Sequence, residues 1–474
     1  MPGVSSLPRS TPDSQGLSAA SLDAFVAALD RSAQEFHTVT LVRHGHIVLE
    51  AEWAPYRLTD QHLLYSVSKS FTSTAIGLAA DAGLLSIDDK VVSFFGPEDL
   101  PETISDNLAA MSVRHLLTMS TGHSQDTVET LSRDSRMVRR FLSLEVENEP
   151  GSPFVYNSGA TYMLSAILQK VSGETLLEYL QTRLFAPLGI TEATWGSSKE
   201  GITFGGWGLS LSAESLAKFG QLMLQRGVWE GQQLVSAEWF EAATSKQVSN
   251  ASENNPDSQQ GYGFQIWRGR HNTYRADGAF GQFILVLPEH DAVLAVTSAA
   301  SDMQAELELF WEHLLPALDG KEVPVVARPE QLELPAPSGS VPQGGDGTTY
   351  TFKDNPGFLE SVRWDADGSA YLTFFNFFKF EQDKAAEDGY GFAAGDWHEQ
   401  PGLPSGGVAG TETERVVTSA AGDGDTLVGT IRWLAGPHAA EFRCRISEGR
   451  MTVDVRLNVS FAPLEFTIVS EPAQ

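Results

Sequence analysis

Cysteine is almost absent from this chain: among 474 residues there is only Cys444. An intramolecular disulfide is therefore excluded, and so is a thiolate-bound metal cluster. Positive charge is also scarce, with 32 Lys and Arg against 61 Asp and Glu and a formal net charge of −29. Such a surface repels polyanions, so neither nucleic acid nor an anionic membrane is expected as a partner. No uninterrupted apolar run reaches the length that spans a bilayer. The opening MPGVSSLPRSTPDSQG lacks a basic segment followed by an apolar one, so no secretory signal is expected. These absences together predict a soluble, cytoplasmic protein in a reducing compartment. What the chain does have is core material: 42% of its residues are hydrophobic and 20% charged. That balance fits globular packing throughout, and the length suggests two domains.

Residues 1–320 read as a mixture of helices and strands. Leu22, Phe25, Val26 and Leu29 mark one face of a helix over residues 21–29. TVTLVR and IVLEAEW form a hairpin around His44-Gly45-His46. A helix opening in LLYSVSK runs to Gly83, a residue suited to a left-handed exit. Further helices are predicted over residues 164–171 and 213–224. Strands over residues 283–287 and 292–297 pair across a turn near Pro288 and Glu289. The pattern predicts an α/β domain, an antiparallel sheet flanked by helices. Residues 321–348, with PAPSGSVPQGGDG, read as a linker. In residues 349–474, short β-branched and aromatic runs such as ESVRW, SAYLTFF, TLVGTIRW and MTVDVRL alternate with turn signals. They predict an all-β sandwich or small barrel.

Ser-x-x-Lys places a hydroxyl and an amine one helical turn apart on one face. At a helix start, unpaired N–H groups can hold an oxyanion, and a buried lysine can lose its proton and act as a base. The pattern occurs twice. Ser215-Leu216-Ala217-Lys218 reads as structural, with Leu216, Phe219, Leu222 and Met223 as a buried stripe and Lys218 snorkelling at its edge. Ser66-Val67-Ser68-Lys69 opens an apolar helix and is the stronger candidate, although the motif alone better fits a helix cap followed by a surface lysine.

The surroundings of Ser66 resemble the serine β-lactamase-like superfamily, most closely its class C β-lactamase and esterase branch. The resemblance lies in YSVSKSFTSTAIGLAADAGLLSIDDKV (65–91), VRHLLTMSTG (113–122), PGSPFVYNSGATYMLSAILQKVSG (150–173), GWGLSLSAESLAKFG (206–220) and ADGAFGQFILVLP (276–288), in the family's order. It covers residues 1–320 and implies a β-lactamase-like fold with a helical subdomain. It also implies Ser66 as the acylated nucleophile, Lys69 as its activator, and Tyr156 as a proton relay whose phenolate the lysine favours. Gly278 matches the glycine that closes the third motif, and the N–H groups of Ser66 and Ala279 would form the oxyanion hole.

Two departures from the family pattern bear on substrate. Ser158 stands where the family has an asparagine, and the third motif reads Ala276-Asp277-Gly278 in place of a cation followed by a hydroxyl. A substrate carboxylate loses its partner there, so neutral esters are expected first and penicillins poorly. Arg275 is adjacent but would point to the opposite face from Ala276 across the strand, and a substrate amine, which Asp277 could accept, comes second. Trp207, Phe280 and Gln282 are candidates for lining the cleft. His44, His46 and His123 read as turn or core residues. No Gly-x-Ser-x-Gly elbow and no His-Glu-x-x-His occur, and no metal or organic cofactor is implied. The expected partner is a small-molecule ester or amide. The alternatives are an amidase or D-amino-acid peptidase of the same superfamily, and a non-catalytic sensor on the same fold. The oligomeric state is left open.

Overall fold

Alternating side chains build the central sheet. In the computed structural model, which describes residues 6–151, 153–321, 323–353, 355–357, 359–374, 388–402 and 414–472, six strands form one antiparallel sheet. They are β1 (Glu35–Arg43), β2 (His46–Glu52), β3 (Trp267–Arg268), β4 (Tyr274–Gly278), β5 (Gln282–Leu287) and β6 (Ala292–Ala299), in the spatial order β2-β1-β6-β5-β4-β3. Along β5, Ile284 and Val286 enter one core while Phe283, Leu285 and Leu287 enter the other, as a two-residue period requires. The β1–β2 turn is tighter than expected: His44 and Gly45 take left-handed conformations and His46 already belongs to β2. His123 is buried.

The first core holds the helical half: α2 (Ser68–Asp81), α3 (Ser158–Ser172) and α4 (Ala213–Leu224). Helix α4 lies close on the sheet because Gly220 faces it; a β-carbon there would meet Val293 at 2.3 Å. The expected stripe of Leu216, Phe219, Leu222 and Met223 is buried. The second core holds α1 (Ala19–Arg31) and α5 (Met303–Leu309) against the opposite face. Helix α3 starts six residues earlier than its apolar periodicity predicts. Its first turn is made of small residues, and the Asn157 side chain accepts from Ala160 N to cap it.

The regular elements among the described residues of the C-terminal third are all strands. A four-stranded sheet (Thr349–Thr351, Leu359–Trp364, Ala370–Phe374, Asp388–Phe392) and a six-stranded one, both antiparallel, share a core that includes Tyr350, Trp364 and Cys444. Parts of the expectations lie outside the described residues: the first five residues of the opening segment, Ser152 in the third matching stretch, Glu322 of the linker, Phe375 at the end of SAYLTFF, and residues 354, 358, 376–387, 403–413 and 473–474 of the expected β domain.

The two parts are tied at several points. Arg432 donates to both Glu35 carboxylate oxygens at 2.7 and 3.1 Å, and Leu63 N donates to Ala435 O at 2.7 Å. The linker joins in, with Ala54 N donating to Leu332 O and Leu334 N to Ala54 O. Among the described residues, no helix is long and apolar enough to cross a membrane.

Candidate active site

Ser66 lies in a single 3-10 turn, Tyr65–Val67, immediately before α2, and Lys69 in the first turn of α2 itself. Tyr65 adopts φ 47°, a left-handed conformation that costs about 1–3 kcal/mol and must be held by its surroundings. Ser68 braces the turn, donating from Oγ to Tyr65 O at 2.6 Å and accepting from Leu209 N at 3.2 Å.

Lys69 is 2% exposed. Its Nζ reaches Gly206 O at 2.8 Å, Ser66 Oγ at 2.9 Å and Ser158 Oγ at 3.2 Å. Burial lowers its pKa to about 7, with the charges of Asp126 and Asp277 acting in the opposite sense.

Tyr156 arrives from the segment before α3. Lys69 Nζ sits 4.8 Å from its ring centroid, and the ring stacks on Trp267 at 5.5 Å. Its hydroxyl interacts with the Ser66 side chain. Burial, then the charge of Asp277, pushes the phenol well above its ordinary pKa. Burial thus acts against the expected phenolate, and the same burial weakens the lysine's hold on the proton that would favour ionised tyrosine. Asn157 points elsewhere, capping α3 and accepting from Thr127 N and Oγ1, so Tyr156 and Ser158 converge on Lys69 from either side of it.

Strand β4 closes the far wall. A β-carbon on Gly278 would lie 2.1 Å from Leu64 O, so the close approach that demands glycine is to the chain's own backbone beside the turn that carries Ser66. Ala276 is buried in the core. Asp277 already has a cationic partner, which competes with the expected substrate amine: Arg275 Nε donates to its Oδ2 at 2.9 Å, and both side chains are largely buried. Arg275 does point away from Ala276, as expected, but residues two apart on a strand share a face.

The turn Ala279-Phe280-Gly281 carries left-handed φ values at Phe280 (66°) and Gly281 (88°). Gln282 is its brace, donating from Nε2 to Ala279 O, Phe280 O and Ser298 O.

Ser66, Tyr156, Ser158, Trp207, Gly278 and Ala279 line one cavity of about 710 Å³, as does Asp277. Phe280 does not; its ring lies behind the rim, against Tyr65 and Phe461. The cavity also takes in Asp126, Trp267, Glu253 and Phe461, which carried no motif in the sequence. Asp126 Oδ1 accepts from Ser158 N at 2.9 Å and Val128 N at 3.0 Å. The second Ser-x-x-Lys is remote from this cavity: Ser215 Oγ donates to Glu192 at 2.6 Å, and Lys218 sits beside Glu214. Among the described residues, no group of three or more His, Cys, Asp or Glu is placed to hold a metal ion.

Residues 25–315 match the family model described as Beta-lactamase. The 6-aminohexanoate-dimer hydrolase of Paenarthrobacter ureafaciens is 26% identical over 287 residues, covering 55% of this chain and 72% of that protein. The lovastatin esterase of Penicillium rubens is 27% identical over 170 residues, 31% of this chain and 42% of that protein. The octameric penicillin-binding protein homologue from Pyrococcus abyssi superposes with a TM-score of 0.51 at 18% identity. It covers 95% of this chain and 99% of its own, so the likeness in fold extends through the C-terminal sheets.

Proposed function

The chain belongs to the beta-lactamase family, and from that premise we propose that it is a serine hydrolase that cleaves a neutral carboxylic ester through an acyl-enzyme on Ser66. The observation that carries this reading is the enclosed Lys69 amine, within hydrogen-bonding distance of the Ser66 hydroxyl. A neutral amine has two N–H groups and one lone pair. The N–H groups suit Gly206 O and Ser158 Oγ, which leaves the lone pair for the Ser66 proton.

In the proposed cycle Lys69 takes that proton and Ser66 Oγ bonds to the carbonyl carbon. The oxyanion rests between the N–H groups of Ser66 and Ala279. Tyr156, kept as a neutral phenol, protonates the departing alkoxide and regains a proton from the Lys69 ammonium. Water then attacks the acyl-enzyme with the same groups, giving the acid and restoring Ser66.

The ester preference rests on charge. Arg275 is a cation on the cavity wall, but Asp277, Asp257 O and Ser258 occupy its guanidinium. A substrate carboxylate therefore has no partner there, and nitrocefin turnover is expected to be poor. An amide is the second reading, supported by the 6-aminohexanoate-dimer hydrolase relative.

The test is labelling of Ser66 by a fluorophosphonate, together with turnover of p-nitrophenyl butyrate. Ser66→Ala should abolish both, and Lys69→Ala and Tyr156→Phe should each lower turnover by roughly a hundredfold or more. Folded protein that neither labels nor turns over would instead favour a sensor that keeps the fold without the chemistry.

A further inference from the structure

Among the described residues, the third of the chain outside the family match reaches the cavity at one point. Phe461 lies between the strands Arg450–Leu457 and Glu465–Val469 of the six-stranded sheet. It is 80% exposed, yet it lines the same cavity as Ser66. A lone exposed phenylalanine would call for no explanation; this one belongs to a cluster. Its ring lies 4.7 Å from Phe280 and 5.9 Å from Tyr65, and Tyr65 meets Phe280 edge-on at 5.4 Å.

The loop that presents it is fixed. Asn458 accepts from Ala439 N and Val459 N at 2.8 Å each and donates to Pro437 O at 2.8 Å, and Ser460 Oγ accepts from Ala462 N. The same loop holds His438. Its Nδ1 faces Val459 O at 3.3 Å, an oxygen that can only accept, so Nδ1 donates and Nε2 accepts the Tyr65 hydroxyl at 2.6 Å. The phenol of Tyr65 is thereby satisfied, and what remains toward the cavity is ring surface beside Ser66.

We propose that the C-terminal sheets complete the substrate site: Phe461 and Tyr65 form a wall that receives an uncharged alkyl or aryl group of the ester, and His438 is a positioning residue that fixes Tyr65. This rests on the hydrolase reading above. The wall carries no charge and no unpaired donor, so it suits a hydrocarbon group rather than a carboxylate or an amine. The exposed apolar area of Phe461 is then what a bound substrate covers.

The experiment measures kcat and KM for p-nitrophenyl esters of lengthening acyl chain and for acetates of lengthening alcohol, in the full chain and in Phe461→Ala and Phe461→Tyr. Phe461 is exposed, so neither variant threatens folding. The expected result is a loss in Phe461→Ala that grows with chain length in one series, roughly tenfold across two added methylenes. The loss should lie in KM, and it should be smaller at every length in Phe461→Tyr, which keeps the ring, than in Phe461→Ala. A flat response in both series, equal loss or none, overturns the wall. Fluorophosphonate labelling run alongside separates the two levels. Labelled Ser66 with flat series overturns the wall and leaves the hydrolase, whereas no label and no turnover overturns both.

Discussion

At the scale of single residues, the proposed chemistry turns on Lys69. With its pKa lowered to about 7 by burial, the amine is protonated below that pH and unable to accept from Ser66, and free above it. The rate under kcat/KM conditions should therefore rise with pH through about 7. Asp126 favours the ammonium, so Asp126→Asn should move this limb toward lower pH, read from the pH–rate profile; an unmoved limb would detach Lys69 from it. The i, i+3 spacing put Ser66 and Lys69 together from the sequence alone, and the resemblance brought in Tyr156. The protonation states were not legible, because they depend on burial by distant segments. The pairing of Arg275 with Asp277 lay within reach of the same alternation that sets Arg275 opposite Ala276.

Between elements, the site depends on β4 lying against the turn that carries Ser66. Gly278 is what lets them touch, and the obstacle to any side chain there is the Leu64 backbone carbonyl, which has no rotamer to move. Gly278→Ala should therefore displace Ala279 from Ser66 and lower turnover by at least roughly a hundredfold, while circular dichroism remains that of a folded chain; a rate near the original would exclude this contact from the mechanism. The strands themselves were readable as alternating apolar runs. The 3-10 turn at Tyr65–Val67 was not, because its left-handed tyrosine runs against local preference and is held by His438 from the far end of the chain.

For the whole molecule, one joint between the two parts is Glu35 with Arg432. Burial pushes the Glu35 carboxyl up, but the hydrogen bond from His37 and the charge of Arg432 outweigh it and hold the carboxyl at about 2, below its ordinary 4.5. A depressed carboxylate stabilises the fold fully above its unfolded pKa, and that contribution is lost as pH falls from about 4.5 toward 2. Arg432→Ala strands Glu35 in the interface and should cost roughly 3 kcal/mol. It should also flatten the acid side of a plot of Tm against pH; an unchanged Tm would mean that the two parts are joined elsewhere.

The sequence by itself determined the β-lactamase-like α/β unit, the strand-rich C-terminal third and the local geometry of Ser66 and Lys69, because hydrophobic period and helical spacing act between near neighbours. Tertiary structure alone decided that Gly206 and Ser158 enclose the lysine, that Arg275 pairs with Asp277, and that His438 reaches Tyr65 and Phe461 reaches the Ser66 cavity from nearly four hundred residues away. Contacts between segments so far apart impose no period on either one, so only the packed chain reveals them.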